Sequence, residues 1–316
     1  MQRLFIQRLA VLPSALTSFS FAQPVQTNLR MWFDASDPAA RTLDTTAPIT
    51  VSSLINKAAS GGTISQATKS KQPLLIAADL NGRDVMRFDG INDVLLNNAF
   101  SSTPMSEGTF FIVFAPMSSN GSYPGLISTG SSGQSDYLTG INIDLGSGFQ
   151  SSFNYLNIEG PKLITPGGRN YRTTGNSNPF GQWHLLQVNY WSSRLELVVD
   201  GNREGRVTFT APAVLNINEV RLGARWYSGS ERGYGDIKLA EVLVYDSAAD
   251  CDTLNTSALY LAAKYNIATS YLPPRLPCRF QRRLHPRFLR LSRFRECLLT
   301  ERTQFRLQRR HRHRLL

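Results

Sequence analysis

A chain of 316 residues, 41% hydrophobic and 10% aromatic, is long enough to bury a core and too apolar for a wholly disordered protein. Its formal net charge of +11 suggests a nucleic-acid binder until the charge is located, because residues 275–316 hold 14 arginines, no lysine and only two acids, Glu296 and Glu301. The rest of the chain carries 20 basic and 21 acidic side chains, so a specific nucleic-acid-binding face is not expected on it.

In chain order, the first feature is a targeting segment. Arg3 and Arg8 precede a mostly apolar run, and Ser20-Phe21-Ala22 forms a small-residue cleavage site, the layout of a secretory signal peptide spanning residues 1–22. A secreted, extracellular protein is expected, with a body over residues 23–270 and a tail over 271–316. No later stretch approaches the roughly 20 apolar residues of a membrane span.

The body reads as short strands bounded by Gly, Ser, Asn, Asp and Pro. The expected strands are LRMWFDA, DVMRFDG, DVLLNN, GTFFIVFAP, GLISTG, GINIDL, WHLLQVNY, RLELVVDG, EVRLGARW and IKLAEVLVYD. FFIVF is apolar throughout and predicts a central strand covered on both faces. Asp200-Gly201 predicts a hairpin turn into NREGRVTF, and Asp89-Gly90 with Asn92-Asp93 predicts a chain reversal. Trp32 and Phe88 are large enough to anchor a sandwich core. One helix is expected, over DTLNTSALYLAAKYNI, with Leu254, Ala258, Leu261, Ala262 and Tyr265 at helical spacing and Asp252 as N-cap. The fold class is therefore all-β, a sandwich or jelly roll of antiparallel sheets closed by a short helix.

Chemistry-bearing residues are sparse. Of the three cysteines only Cys251 lies in the body, so the body closes no disulfide by itself and offers no C-x-x-C metal spacing. His184 is the only histidine outside the tail; without a G-x-S-x-G elbow to meet it, it reads as a strand or edge histidine. Glu196 with Asp200 reads as a solvent-facing strand residue followed by a turn aspartate. Glu241 sits in an apolar strand and is expected to pair with an arginine, Arg221 or Arg225.

The order of Trp32-Phe33-Asp34-Ala35-Ser36-Asp37, VMRFDGINDVL, FGQWHLLQVNY, LELVVDGNREG, IKLAEVLVYD and ALYLAAKYNI resembles the LamG-like, concanavalin A-like lectin/glucanase domains of secreted proteins, over about residues 29–268. The resemblance implies a glycan-binding jelly roll, and calcium in some members, for which Asp34, Asp37, Asp89, Asn92 and Asp93 are the oxygen-bearing turn residues. It also implies a rival, since relatives that cleave or eliminate polysaccharides carry E-x-D-x-x-E or E-x-D-x-E on one strand; this chain has neither. A glycoside hydrolase or lyase and a purely structural surface protein are thus the alternatives to a binding module.

For a ligand, the densest cluster is Arg225, Trp226, Tyr227, Tyr234 and Asp236 in GARWYSGSERGYGD, where aromatic faces and polar groups stand together as sugar recognition requires. The partner expected is a polysaccharide or glycoprotein glycan. Asn120-Gly121-Ser122 and Asn255-Thr256-Ser257 fit the N-glycosylation pattern, which matters in a eukaryotic host.

Residues 275–316 have no Gly, Ala, Val, Ile, Asp, Asn, Lys, Met, Tyr or Trp. So restricted a set is what a biased nucleotide sequence yields out of frame. The functional alternative is a basic segment whose Leu284, Phe288, Leu291 and Phe294 interleave with arginines and suit an anionic surface, although Pro286 interrupts a helix. Disorder is expected, as the tail has no core of its own. Sequencing the gene is expected to show an insertion or deletion near the Leu272 codons; an intact frame there refutes the out-of-frame reading.

Overall fold

The computed structural model describes residues 23–161, 170–172, 178–191, 193–208, 214–247 and 250–271. The expected signal peptide and nearly all of the basic tail lie outside the described residues.

Among the described residues, seventeen strands join in one antiparallel hydrogen-bonded network that folds into two layers. The first layer runs from Asn202–Thr208 through Arg194–Val199, His184–Trp191 and Gly108–Pro116 to Asp236–Tyr245. Leu29–Asp34 pairs with the C-terminal half of this last strand, and Arg83–Asp89 with its N-terminal half. The second layer runs Asn170–Arg172, Tyr155–Glu159, Asn142–Asp144, Gly125–Gly130, Glu219–Leu222, Leu95–Asn97, Thr63–Ser65 and Thr50–Ile55. Leu74–Leu80 joins the layers, pairing along Arg83–Asp89 and meeting Thr50 through Leu74. This is an all-β sandwich.

The alternation of the central strand explains why it is apolar on both faces. Phe110, Ile112 and Phe114 point between the layers, where they meet Leu126, Ile143, Ile158 and Leu222 of the second layer. Phe111 and Val113 point outward into a second core with Leu185, Leu243 and Tyr245, roofed by Ala258, Leu261 and Tyr265 of the helix Cys251–Tyr265. FFIVF is thus a two-sided strand as its composition implied, with a sheet on one face and a helix on the other. Trp32, expected in the sandwich core, belongs instead to this second core, while Phe88 lies between the layers.

The helix differs from expectation at its start. Asp250, not Asp252, is the N-cap; its side chain accepts from Thr253 N at 2.8 Å, and Asp252 falls in the first turn, where a negative charge suits the helix dipole. Asn266 ends the helix in the left-handed conformation.

EVRLGARW is two strands rather than one. Gly223 has φ +82°, and a Cβ there would lie 2.1 Å from Phe88 Cδ1. The chain turns at Gly223 to send Glu219–Leu222 into the sheet and Arg225–Tyr227 into a separate hairpin with Ser230–Arg232. Gly223→Ala meets both the forbidden φ and a core ring, so a loss of roughly 2–4 kcal/mol is expected. Urea unfolding of the variant checks this.

Candidate functional site

Two places on the sandwich gather polar and aromatic side chains. The first is the loop end built from the hairpin Arg225–Arg232, the segment 131–140 and the turn at 119–124. Arg225 is 3% exposed, not a solvent-facing ligand group. Its Nη2 lies 2.8 Å from Asp136 and 2.8 Å from Glu159, and its Nη1 3.6 Å from Asp144, so three carboxylates hold one guanidinium. The same Asp136 accepts from Trp226 N at 3.2 Å, and Ser135 Oγ accepts from Ser228 N at 3.0 Å. These bonds fix the hairpin onto the short helix Asp136–Thr139.

What the hairpin presents outward is Tyr227, 40% exposed, with Tyr137 beside it at 5.8 Å between centroids and an interplanar angle of 32°. Arg232 stands 5.8 Å from the Tyr227 ring and Leu138 is 52% exposed next to the pair. Trp226 is half-buried and stacks on Arg221 at 4.7 Å. Tyr234 is half-buried, and burial followed by the charge of Glu231 raises its phenol above the usual range. Asp236 faces the sheet: it is bound by Arg87 and Ser118, and its backbone pairs with Asp89. Of the five residues read from the sequence, the aromatic ones border this loop end, whereas Arg225 and Asp236 hold it in shape. Tyr137, in the polar, aromatic-bearing loop SSGQSDYLTG, is not among those five, because a single tyrosine in a loop gives no signal of the partner it will stack on.

The second place is a cleft of about 520 Å³ between the first layer's outer face and the helix, lined by Trp32, Asp34, Asp37, Lys57, Arg83, Tyr260 and Lys264 among others. Behind it the long strand Asp236–Tyr245 is bulged. The register shifts between Leu239 and Glu241, so that Ala240 and Glu241 both face the helix instead of alternating. Glu241 is wholly buried, and four donors converge on it: Trp32 Nε1 at 2.6 Å, Tyr260 Oη at 3.0 Å, Tyr265 Oη at 2.8 Å and Lys264 Nζ at 2.7 Å. The arginine partner expected for Glu241 is therefore replaced by Lys264, because the bulge turns the carboxylate toward the helix and away from the strands that carry Arg221 and Arg225. Asp34, directly across the strand pair, accepts from Lys264 at 2.7 Å, Lys57 at 3.1 Å and both groups of Ser36.

Burial raises Asp34, but Lys264 and Lys57 more than reverse this and hold the carboxyl below its ordinary value; burial and the nearby Asp34 charge push Glu241 up. Opposite shifts in a carboxylate pair are the mark of an acid and base. Here both are saturated, since a carboxylate offers about four acceptor sites and each oxygen of each acid already serves donors.

The five turn residues considered for calcium divide between distant strands. Asp34 and Asp37 are consumed by the lysines, Asp37 through Lys57 at 2.6 Å. Asp89 Oδ1 accepts from the amides of Ile91 and Asn92, and Asp93 from the amide of Asp89. Among the described residues no three His, Cys, Asp or Glu side chains are arranged to hold a metal ion. His184 is buried in a central strand rather than at an edge, with Nδ1 2.8 Å from Asp200. Glu196 is partly buried between Arg194 and Arg206. Of the sequons, Ser257 is buried against Tyr245 Oη at 2.7 Å.

No family model matches the sequence, and no curated protein matches it. Solved structures do share the architecture. A GH54 α-L-arabinofuranosidase soaked with a cyclic sulfate inhibitor aligns with TM-score 0.53 and 12% identity over 75% of this chain and 59% of that one. An arabinofuranosidase complexed with arabinofuranosyl-α-1,2-xylobiose aligns with TM-score 0.51, again at 12% identity over 75% and 59%. Domain 4 of a GH43 extracellular arabinanase from Geobacillus stearothermophilus, in complex with arabinotriose, aligns with TM-score 0.39 and 15% identity, over 74% of this chain and 98% of that domain. The chain spans less than two thirds of the two arabinofuranosidase structures, and what it shares with them is the β-sandwich fold.

Lys264→Met leaves Asp34 and Glu241 buried without their shared cation, so a loss of about 3–5 kcal/mol is expected in urea unfolding. Asp93 and Asp144 are pushed up to about 7, first by burial; the neighbouring Asp89 adds to the rise at Asp93, while Arg225 opposes it at Asp144. A raised carboxyl favours the folded state only while it is protonated, so stability should fall as pH rises from about 4 to about 7 and level off above. Asp144→Asn should flatten part of that slope in urea unfolding measured across the range.

Proposed function

We propose that this chain is a secreted carbohydrate-binding module, LamG-like and concanavalin A-like in its jelly-roll plan, that recognises polysaccharide or glycoprotein glycans and carries no catalysis of its own. The observation that carries the reading is the Tyr227–Tyr137 pair, Tyr227 exposed and Tyr137 half-buried, held in place by the ion network of buried Arg225 and Asp136 with Glu159. A sugar presents an apolar face to an aromatic ring and hydroxyls to the groups around it, and little ordering is required of a surface already rigid. Arg232, Ser230 and Ser228 supply polar neighbours on the same hairpin, at an end of the sandwich where loops carry recognition.

The sandwich shared with glycosidases is equally compatible with a hydrolase or lyase, which needs two carboxylates facing a common cleft. Binding is favoured because the cross-strand pair Asp34 and Glu241 is occupied by Lys264 and its neighbours, and only Asp34 of the two lines the cleft. The third alternative, a structural surface protein, predicts no glycan ligand at all.

A glycan array on the full chain, with calcium and again with a chelator, is expected to show binding that Tyr227→Ala reduces by about tenfold or more, the scale of one lost aromatic contact. Binding that survives Tyr227→Ala refutes the platform. Release of reducing ends or unsaturated products from the bound polysaccharide favours the enzyme.

A further inference from the structure

The cleft under the helix has features that the ion network does not use. Arg83 follows the hairpin turn Asn81-Gly82, whose residues have φ +50° and +72°, a conformation that Asn-Gly favours. Arg83 Nε and Asn81 Nδ2 both donate to Lys264 O, at 3.0 and 3.1 Å, so the hairpin is fastened to the last turn of the helix. One edge of the guanidinium is thus held while its terminal nitrogens, on an exposed residue lining the cleft, have no carboxylate partner among the described residues. The acids of the cleft and Glu241 behind it turn elsewhere: Asp34 and Glu241 to Lys264, and Asp37 to Lys57.

We propose that this cleft is a second ligand site, for a sugar unit bearing a single carboxylate, a hexuronate. A volume of about 520 Å³ accommodates a monosaccharide or the end of a chain. The oriented guanidinium matches one carboxylate in fork geometry. Gln23 on the wall supplies a donor and an acceptor for ring hydroxyls, and Ser36 Oγ, whose proton goes to Asp34, supplies an acceptor. Lys57 and Lys264 are spent on Asp37, Asp34 and Glu241, so Arg83 is the cleft cation left without a carboxylate partner among the described residues, and one charge-assisted fork suits a hexuronate rather than a phosphate-rich or heavily sulfated chain. The site lies on the outer face of the first layer, on different residues from the Tyr227 hairpin, so it stands or falls independently of that platform.

Ligand-observed saturation-transfer NMR on the full chain tests it, with D-glucuronate, D-glucose and acetate as probes. Glucuronate should bind, glucose should bind at least about tenfold more weakly for lack of the charge-assisted pair, and acetate should fail to displace glucuronate at equal concentration. Arg83→Ala should weaken glucuronate by about tenfold or more. Arg83→Gln, which keeps a donor for Lys264 O, should do the same with an unchanged thermal midpoint, so that loss of binding is separated from loss of fold. Tyr227→Ala should leave glucuronate binding as it was. Absent glucuronate binding, equal binding of glucose, displacement by acetate, or full binding by Arg83→Gln would each overturn the assignment.

Discussion

Glu241 is buried at the centre of the long strand Asp236–Tyr245, and how its charge is satisfied governs the arrangement of the outer face. A carboxylate in such a position is costly unless it is paired and fully hydrogen-bonded. The bulge at Ala240-Glu241 turns it toward the helix, and Lys264, Tyr260 and Tyr265 descend from one helical face to meet it, with Trp32 closing the set from the neighbouring strand. Lys264 also reaches Asp34, so one ammonium joins the first strand, the long strand and the helix. The second hydrophobic core forms around this polar centre. The helix needs it, since an amphipathic segment of 15 residues gains most of its stability from the surface it covers.

The same logic recurs on the second layer with different chemistry. Arg225 is surrounded by Asp136, Asp144 and Glu159, contributed by a short helix and two strands. Where Lys264 fastens the long helix to a sheet, Arg225 fastens a hairpin to a short helix and the strands beside it, and its planar fork can serve several carboxylates at once. The consequence at the surface is a pair of tyrosines on a rigid support. A single cation therefore organises each polar region, and in each the side chains left to face solvent are those not consumed by the network.

Much of the fold was legible in the sequence. FFIVF announced a strand buried on both sides, Asp200-Gly201 a hairpin, and the spacing of Leu254, Ala258, Leu261 and Tyr265 a helix with an inward stripe. Strands such as Arg41–Asp44, Thr63–Ser65 and Tyr155–Glu159 were not, being short and mixed in polarity, with their identity lent by the neighbours they pair with. The site was legible only in part. The aromatic cluster at 226–234 was visible as composition, but whether a given arginine or aspartate serves a ligand or a neighbouring strand depends on residues far along the chain. Arg225 meets Asp136, Asp144 and Glu159 at separations of 66 to 89 residues for the direct hydrogen bonds, a distance no local pattern spans.

By itself, then, the sequence determined the alternation of strand and turn, the place of the helix Cys251–Tyr265 and the near neutrality of the body, because each is written in neighbouring residues as periodicity, turn chemistry or charge. Tertiary structure alone decided that Glu241 pairs with Lys264, that Gly223 divides one apparent strand into two, that Tyr137 stands beside Tyr227 and that Arg83 edges a cleft. Each of these is a meeting of distant segments, set by strand register and by a bulge that reverses which face a side chain occupies, and a shift of one residue in that register would have sent the same side chains elsewhere.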